Sequence, residues 1–428
     1  MRMVLAFYGS RGDIQPGLAF GLELQSRGHD VVLAVPPNFV DFARRLGLSA
    51  HPVGLDTSAV WDTPRAEEIL RTKNLYTKIR LAKQTISEGF AAFDTDVIGL
   101  LAGPDATVGS VDALVSGPLC QERVFAISEK LGVRFTVLRF GPFSENGVIG
   151  AIPGVSSHIH PAVNRASWRV MDSVSWTFGK GAENGFRKKI DLPEAKGSLQ
   201  QRYRVGHVTQ IQAYDAVMFP GLVEEWGDDK PIVGYLDLPA DERGSLGEGS
   251  SSDDGLWSWL TAGEPPVFVT VGSVPVADRD ALTRVITEAG ATVGCRMLVT
   301  LKDRPTGPDP SEPGIYFAES LDHAAVLPLC QATVHHGGAG TTAAGLRASL
   351  PTMVCHGGAD QAYWGAQVTR MNVGTSTSLK KLTTEKLVAG LRTILTSEMR
   401  DNAALVAGAM VPAAKAVSAA ADIAEQAR

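Results

Sequence analysis

The chain opens on a short, wholly apolar run, Met3-Val4-Leu5-Ala6-Phe7, broken by Gly9-Ser10-Arg11-Gly12-Asp13. A run of that length bounded by turn residues predicts a buried strand. Ile14, Leu18 and Leu22 then recur at helical spacing, with Pro16 in the first turn, and Gly28 ends the helix before a second apolar run at 31–35. Strand, helix, strand in so few residues predicts a βαβ unit. Further strands are expected at 112–115 and 135–138, with 216–219 as the last of this half. The βα rhythm weakens over 56–103 and again over 140–203. The second stretch carries Phe143, Trp168, Trp176 and Phe178, and such excursions commonly build one wall of a cleft. A second alternation follows: a strand at 267–271 ending in Gly272-Ser273, a helix over 278–288, strands at 297–300, 315–318, 332–334 and 352–354, and an Ala-rich helical tail after about residue 403.

This pattern predicts an α/β protein of two doubly wound, Rossmann-like domains facing across a cleft. The expected divisions are an N-terminal domain at 1–220, a linker and mobile Gly/Ser/Asp-rich loop at 221–254, a C-terminal domain at 255–402, and a C-terminal helix at 403–428 packing back on the N-terminal domain. A length of 428 residues agrees with two domains, and a hydrophobic content of 44% supports two cores. The net charge of −6 excludes general nucleic-acid binding, which needs a basic footprint. The N-terminal run is interrupted too early for a signal peptide, and no unbroken apolar run reaches the ~18 residues of a membrane span. A cytoplasmic protein is expected, with peripheral contact at the inner face of a membrane still compatible. The four cysteines, Cys120, Cys295, Cys330 and Cys355, form no C-x-x-C pair, so reduced thiols are expected.

The densest chemistry lies at His335-His336-Gly337-Gly338-Ala339-Gly340-Thr341-Thr342, between a predicted strand and a predicted helix. Glycines let the backbone approach a ligand closely, and a helix start offers free N–H groups and a partial positive charge. This is a seat for a diphosphate, with a histidine donor at its mouth; the alternative is a tightly packed turn. One βα unit later, Asp360-Gln361 can bind vicinal hydroxyls of a sugar or can cap a helix. Asp13, at the end of the first strand, can act as a general base or cap the helix that opens at Ile14. Asp94-Thr95-Asp96 sits in a helical stretch and reads as a solvated face. His158 and His160 alternate but have no third partner, so no metal site is expected.

In combination, Gly9-Ser10-Arg11-Gly12-Asp13-Ile14-Gln15-Pro16, the segment 334–342 and Asp360-Gln361-Ala362-Tyr363-Trp364-Gly365 resemble the GT-B nucleotide-sugar glycosyltransferases. The resemblance is to family 1, in the branch of glycopeptide, glycopeptidolipid and sterol transferases, and it covers essentially the whole chain. It implies an inverting, metal-independent hexosyl transfer from a UDP- or dTDP-sugar to a hydroxyl of a large, largely apolar acceptor such as a lipopeptide, sterol or polyketide. It implies no cofactor beyond the nucleotide-sugar co-substrate. Asp13 would be the base, standing where many relatives have a histidine, and His336 would assist catalysis. Ser10, Ser273, His336, Gly338, Ala339, Gly340 and Thr341 would hold the donor diphosphate, and Asp360 and Gln361 the donor sugar. The backbone at Leu321, Asp322 and His323 would face the nucleobase. Phe143, Trp168 and Trp176 are the candidate acceptor contacts. The chain departs from the plant signature at Ala339 and Gly340, and Ser116 and Gly117 stand near the place of the aspartate that orients a catalytic histidine in those relatives. A monomer or weak homodimer is expected. The alternatives are a nucleotide-sugar epimerase or hydrolase on the same fold, and a non-catalytic nucleotide-sugar binder.

Overall fold

A computed structural model describes the chain except residues 104, 154–158, 240–241, 244–253, 303 and 428, with the side chains of residues 61, 62 and 359 also left aside. Most of the loop expected to be mobile at 241–254, and His158, therefore lie outside the described residues. The chain divides into two compact units. The first comprises Met1–Ala216, Pro220–Pro239 and Val411–Arg428, and the second Val217–Phe219 and Ala240–Met410.

The first unit is built on a six-stranded parallel sheet. In chain order its strands are β1 (Arg2–Ala6), β2 (Asp30–Val35), β3 (Ser49–Pro52), β4 (Ala113–Ser116), β5 (Arg134–Arg139) and β6 (Thr209–Gln212). In space they run β3-β2-β1-β4-β5-β6. The order reverses at β1, so the loops after β1 and β4 diverge there, where ligands of doubly wound sheets bind. Val4, Ala6, Leu114, Phe135 and Val137 pack in one cluster with Phe93 and Val97 of the long helix Leu75–Leu101 and with Phe186 of the helix Pro161–Lys189. These two helices, 27 and 29 residues long, fill the stretches where the βα rhythm weakened. The final helix, Ala413–Gln426, also joins this unit: Arg27 bonds Asp422 at 2.6 Å and Glu425 at 3.0 Å.

The second unit carries β7 (Val267–Thr270), β8 (Met297–Thr300), β9 (Gly307–Pro308), β10 (Ile315–Ala318), β11 (Ala332–His335), β12 (Thr352–His356) and β13 (Gly374–Ser378), in the order β13-β12-β11-β7-β8-β10-β9. All pairings are parallel except β9 with β10. Alternate residues feed two cores. Val267, Val269, Met297, Val299, Ile315 and Phe317 enter one, and Phe268, Leu298 and Tyr316 the other. Burial on both faces explains why these strands read as continuous apolar runs.

Three expectations change. Residues 216–219 do not form a strand: Ala216–Met218 is a 3-10 turn, and the edge strand is the less apolar Thr209–Gln212. Asp94 is not solvated. It is 5% exposed and bonds Arg123 Nε at 2.5 Å and Lys189 Nζ at 2.8 Å, a buried carboxylate with two cations, while Asp96 accepts from Gly54 N–H at 2.9 Å. The stretch Ser397–Gln426 is long and apolar enough in composition to cross a membrane. It is, however, interrupted between the helices Ser397–Ala409 and Ala413–Gln426, with Pro412 at ψ 139°, and Ala416, Ala420, Ala421 and Ala424 are packed inside the protein.

Candidate active site

Because β7, β10, β11 and β12 are parallel, their C-terminal ends share one edge of the second sheet. That edge carries four loops: Gly272-Ser273 after β7, Leu321-Asp322-His323 after β10, His336 to Gly338 after β11, and Gly357-Gly358 after β12. Gly338 begins the helix Ala339–Arg347, so the amides of Ala339, Gly340 and Thr341 are first-turn donors without intrahelical partners. Thr342 tightens this start, with both its N–H and its hydroxyl on the Gly338 carbonyl at 2.9 Å.

His336 lies between two glycines. A Cβ at Gly272 would sit 2.5 Å from its Cε1, and a Cβ at Gly338 would sit 2.6 Å from its Nε2. The ring is thus held against the helix start by the absence of two side chains. Its Nδ1 is buried with no hydrogen-bond partner. Burial, and secondarily the nearby His323, pushes the pKa of His336 down to about 4, so the imidazole is neutral at physiological pH. His335 lies in the protein interior. It is fully buried, its Nδ1 accepts from Gly337 N–H at 2.9 Å, and its pKa is held well below the ordinary value by burial. Gly337 itself has φ +90°, and a Cβ there would meet Val354 Cγ1 at 2.6 Å and the Gln361 carbonyl at 2.9 Å. The β11 and β12 loops therefore touch at a position that favours glycine on both counts.

Gln361 is partly committed. Its Oε1 accepts from Gly357 and Gly358 N–H at 2.8 and 2.9 Å, capping the helix Ala359–Arg370. Among the described residues the carboxamide NH₂ makes no hydrogen bond. Asp360 is exposed as a residue, yet packing around its carboxyl raises its pKa, with its own and Gln361's amides opposing the rise. Ser273 is exposed at its loop. Leu321 is buried in the core, Asp322 Oδ1 caps the next turn through Ala324 N–H at 3.0 Å, and His323 packs edge-on against Phe268 at 5.2 Å. At this segment the side chains are structural and the backbone is what remains for a ligand.

Gly272→Ala is expected to weaken nucleoside diphosphate binding by about tenfold or more while leaving the fold intact. Gly272 has φ +54°, a conformation costing a side chain ~1–2 kcal/mol, and the added methyl must displace the His336 ring. Calorimetric titration beside a circular dichroism melt checks this.

In the first unit, Asp13 is the third residue of the helix Arg11–Ser26. Its Oδ2 accepts from Ser10 N–H at 2.8 Å and from Ser10 Oγ at 3.0 Å. The helix thus opens at Arg11 rather than Ile14, with Ser10 as its N-cap and Asp13 as the capping-box partner. Ser10 Oγ is engaged with Asp13. The carboxylate lies against Gly9, where a Cβ would sit 2.4 Å from Oδ2 and 2.9 Å from Leu119 Cδ1. Leu119 also lines a cavity of about 1220 Å³ that contains Phe143, Trp168 and Trp176. Trp168 is buried and donates its indole N–H to the Ile149 carbonyl at 2.7 Å, while Trp176 is half-buried. Ser116 Oγ donates to the Gly117 carbonyl at 2.7 Å. Among the described residues, no group of three or more His, Cys, Asp or Glu side chains converges as a metal ion would require.

Residues 3–144 match the glycosyltransferase family 28 N-terminal domain, and residues 276–425 match the erythromycin biosynthesis protein CIII-like C-terminal domain. An uncharacterized glycosyltransferase of Mycobacterium tuberculosis is 36% identical over 428 residues, covering 100% of this chain and 99% of its own. A sterol 3-beta-glucosyltransferase of Arabidopsis thaliana is 27% identical over 96% of this chain, which spans 63% of that longer protein. Among solved structures, the glycotransferase of kitacinnamycin superposes with a TM-score of 0.71 at 14% identity, covering 99% of this chain and 98% of that one. A Streptomyces glycosyltransferase complexed with thymidine diphosphate superposes with a TM-score of 0.62 at 15% identity, covering 100% of both chains. At such identity the likeness shows the fold, which is GT-B.

Proposed function

The chain is a glycosyltransferase of family 1 with the GT-B fold, and we propose that it transfers a hexose or deoxyhexose from a UDP- or dTDP-sugar, with inversion and without a metal, to a hydroxyl of a large, largely apolar acceptor. The observation that carries this reading is the His336 loop: a neutral imidazole and a row of first-turn amides at one helix start, flanked by Asp360 and Gln361.

In the reaction, Asp13 takes the proton of the acceptor hydroxyl as its oxygen attacks the anomeric carbon. The bond from that carbon to the diphosphate oxygen breaks, and the leaving nucleoside diphosphate gains negative charge. Fixed donors at His336, Ala339, Gly340 and Thr341 meet that charge without reorganising. Asp360 and the Gln361 NH₂ hold sugar hydroxyls, Ser273 contacts the diphosphate, and the backbone at 321–323 faces the base. The acceptor's apolar body takes the cavity of Phe143, Trp168 and Trp176, which adjoins Asp13 through Leu119. A cytoplasmic location fits a nucleotide-sugar donor.

A thermal-shift panel of nucleotides and nucleotide sugars in EDTA tests the donor side. UDP, dTDP or their sugars are expected to raise Tm, by about 2.7 kcal/mol of linkage at a hundred times Kd. No shift with any pyrimidine diphosphate contradicts the reading. Sugar release without an acceptor at the rate of transfer would identify a hydrolase instead.

A further inference from the structure

The cavity of the first unit holds an unusual set of unsatisfied polar atoms. Arg139, at the end of β5, is 5% exposed and lines the cavity, and its Nε and Nη2 have no hydrogen-bond partner. Ser144, 3% exposed, and Gln210, 6% exposed, line the same cavity, and the Ser144 hydroxyl and the Gln210 Oε1 are likewise unpartnered. A buried polar group without a partner costs ~1–3 kcal/mol, more when charged, so several on residues that line one cavity leave room for a ligand that satisfies them. The two idle donors of Arg139 also have a shape. Nε–H and the adjacent Nη2–H form one edge of the guanidinium, the edge that receives both oxygens of a carboxylate in parallel.

The cavity's own carboxylates do not serve that edge. Glu145 is bonded to Arg169 at 2.7 Å and lies 3.5 Å from Arg204, Glu183 is paired with Arg202, and Asp172 accepts from Ser198 Oγ at 2.5 Å. Glu122 is near enough to feel the Arg139 charge but makes no hydrogen bond to it, and burial favours its neutral form. Asp228 and Asp229 stay exposed beside Lys230. Lys230 is a second cation lining the cavity. It lies 4.9 Å over the Trp226 ring, with no ion pair among the described residues, and burial and the Arg139 charge together bring its pKa down to about 8. Two cations without an ion pair thus share the lining of a cavity with Phe143, Trp168 and Trp176.

We propose that this cavity is a carboxylate site: it takes an amphiphilic acceptor whose carboxylate sits side-on against Nε and Nη2 of Arg139 with Lys230 as the second cation, while its apolar body lies along Phe143, Trp168 and Trp176. This deepens the acceptor assignment above and rests on it for the word acceptor, but the site is defined by binding alone.

The test uses the full chain, tryptophan fluorescence, and ω-hydroxypalmitic acid beside its methyl ester. The acid is expected to bind wild type about ten- to a hundredfold tighter than the ester, the range of a charged hydrogen-bonded contact. Arg139→Gln is expected to bring the acid down to the level of the ester, and Arg139→Lys, which keeps the charge but loses the fork, to fall between. Arg139→Gln removes a buried charge that lies 5.8 Å from the Tyr203 ring and has no ion pair among the described residues, so its Tm is expected to equal or exceed that of wild type. Equal binding of acid and ester by wild type, no binding of the acid, or an acid preference that survives Arg139→Gln overturns the proposal. A UDP and dTDP titration of the same samples separates the two readings. Acid preference without nucleotide binding removes glycosyl transfer and keeps the carboxylate site, and nucleotide binding without acid preference does the reverse.

Discussion

Asp13→Asn is expected to lower kcat for sugar transfer by about 10²–10⁴-fold, the usual contribution of a positioned general base, while leaving nucleoside diphosphate affinity unchanged. The substitution separates the two duties of this residue. An asparagine carbonyl still accepts from Ser10 N–H and Oγ, as the carboxylate does at 2.8 and 3.0 Å, so the helix start keeps its cap. What disappears is the capacity to take a proton. Asp13→Ala removes both, and is expected to lose Tm as well as rate, because the N–H and Oγ of Ser10 lose their acceptor. Full activity in Asp13→Asn, measured by mass of the glycosylated product, would remove Asp13 from the mechanism.

His336→Ala is expected to reduce kcat about a hundredfold or more, since losing one fixed donor to a developing charge costs ~2.7–4 kcal/mol. Unlike Asp13→Asn, it is also expected to weaken nucleoside diphosphate binding. The neutral state of the ring adds a pH signature. Its folded pKa of about 4 lies below the ordinary 6.5, so between those values the folded chain binds fewer protons than the unfolded one. Stability from this ring is complete above pH 6.5 and is lost as pH falls toward 4, amounting to on the order of 3 kcal/mol. A bound diphosphate supplies the negative charge that an imidazolium lacks in the free protein, so binding raises this pKa and takes up a proton. The affinity of wild type relative to His336→Ala is therefore expected to grow as pH falls from about 7 to about 5. Taking the ratio cancels the phosphate's own titration near pH 6.

The βα frame and the glycine turn at His336 were legible because their signals are local. Residues such as Val267, Phe268 and Val269 are buried on both sheet faces, so they read as unbroken apolar runs. The His336 loop announced itself through glycines whose Cβ would collide with the ring or with the neighbouring loop. Other features depended on partners far away in sequence. Asp94 looked like a helix-surface charge because Arg123 and Lys189, which neutralise it, lie 29 and 95 residues on. The strand Thr209–Gln212 carries two glutamines whose burial comes from neighbours, so its polarity hid it, while the apolar 216–219 wound into a turn. Arg139 drew no notice at the end of an apolar run, since a terminal arginine there ordinarily reaches solvent. Its isolation appears only once the long helix Pro161–Lys189 and the turn carrying Lys230 wall the cavity around it.

The most direct test of the donor assignment is calorimetric titration of UDP and dTDP into wild type, Asp13→Asn and His336→Ala. Wild type and Asp13→Asn are expected to share one Kd, and His336→Ala to bind at least about tenfold more weakly, a difference of ~1.4 kcal/mol or more. Equal affinity in all three proteins, or weakening in Asp13→Asn alone, would contradict that assignment.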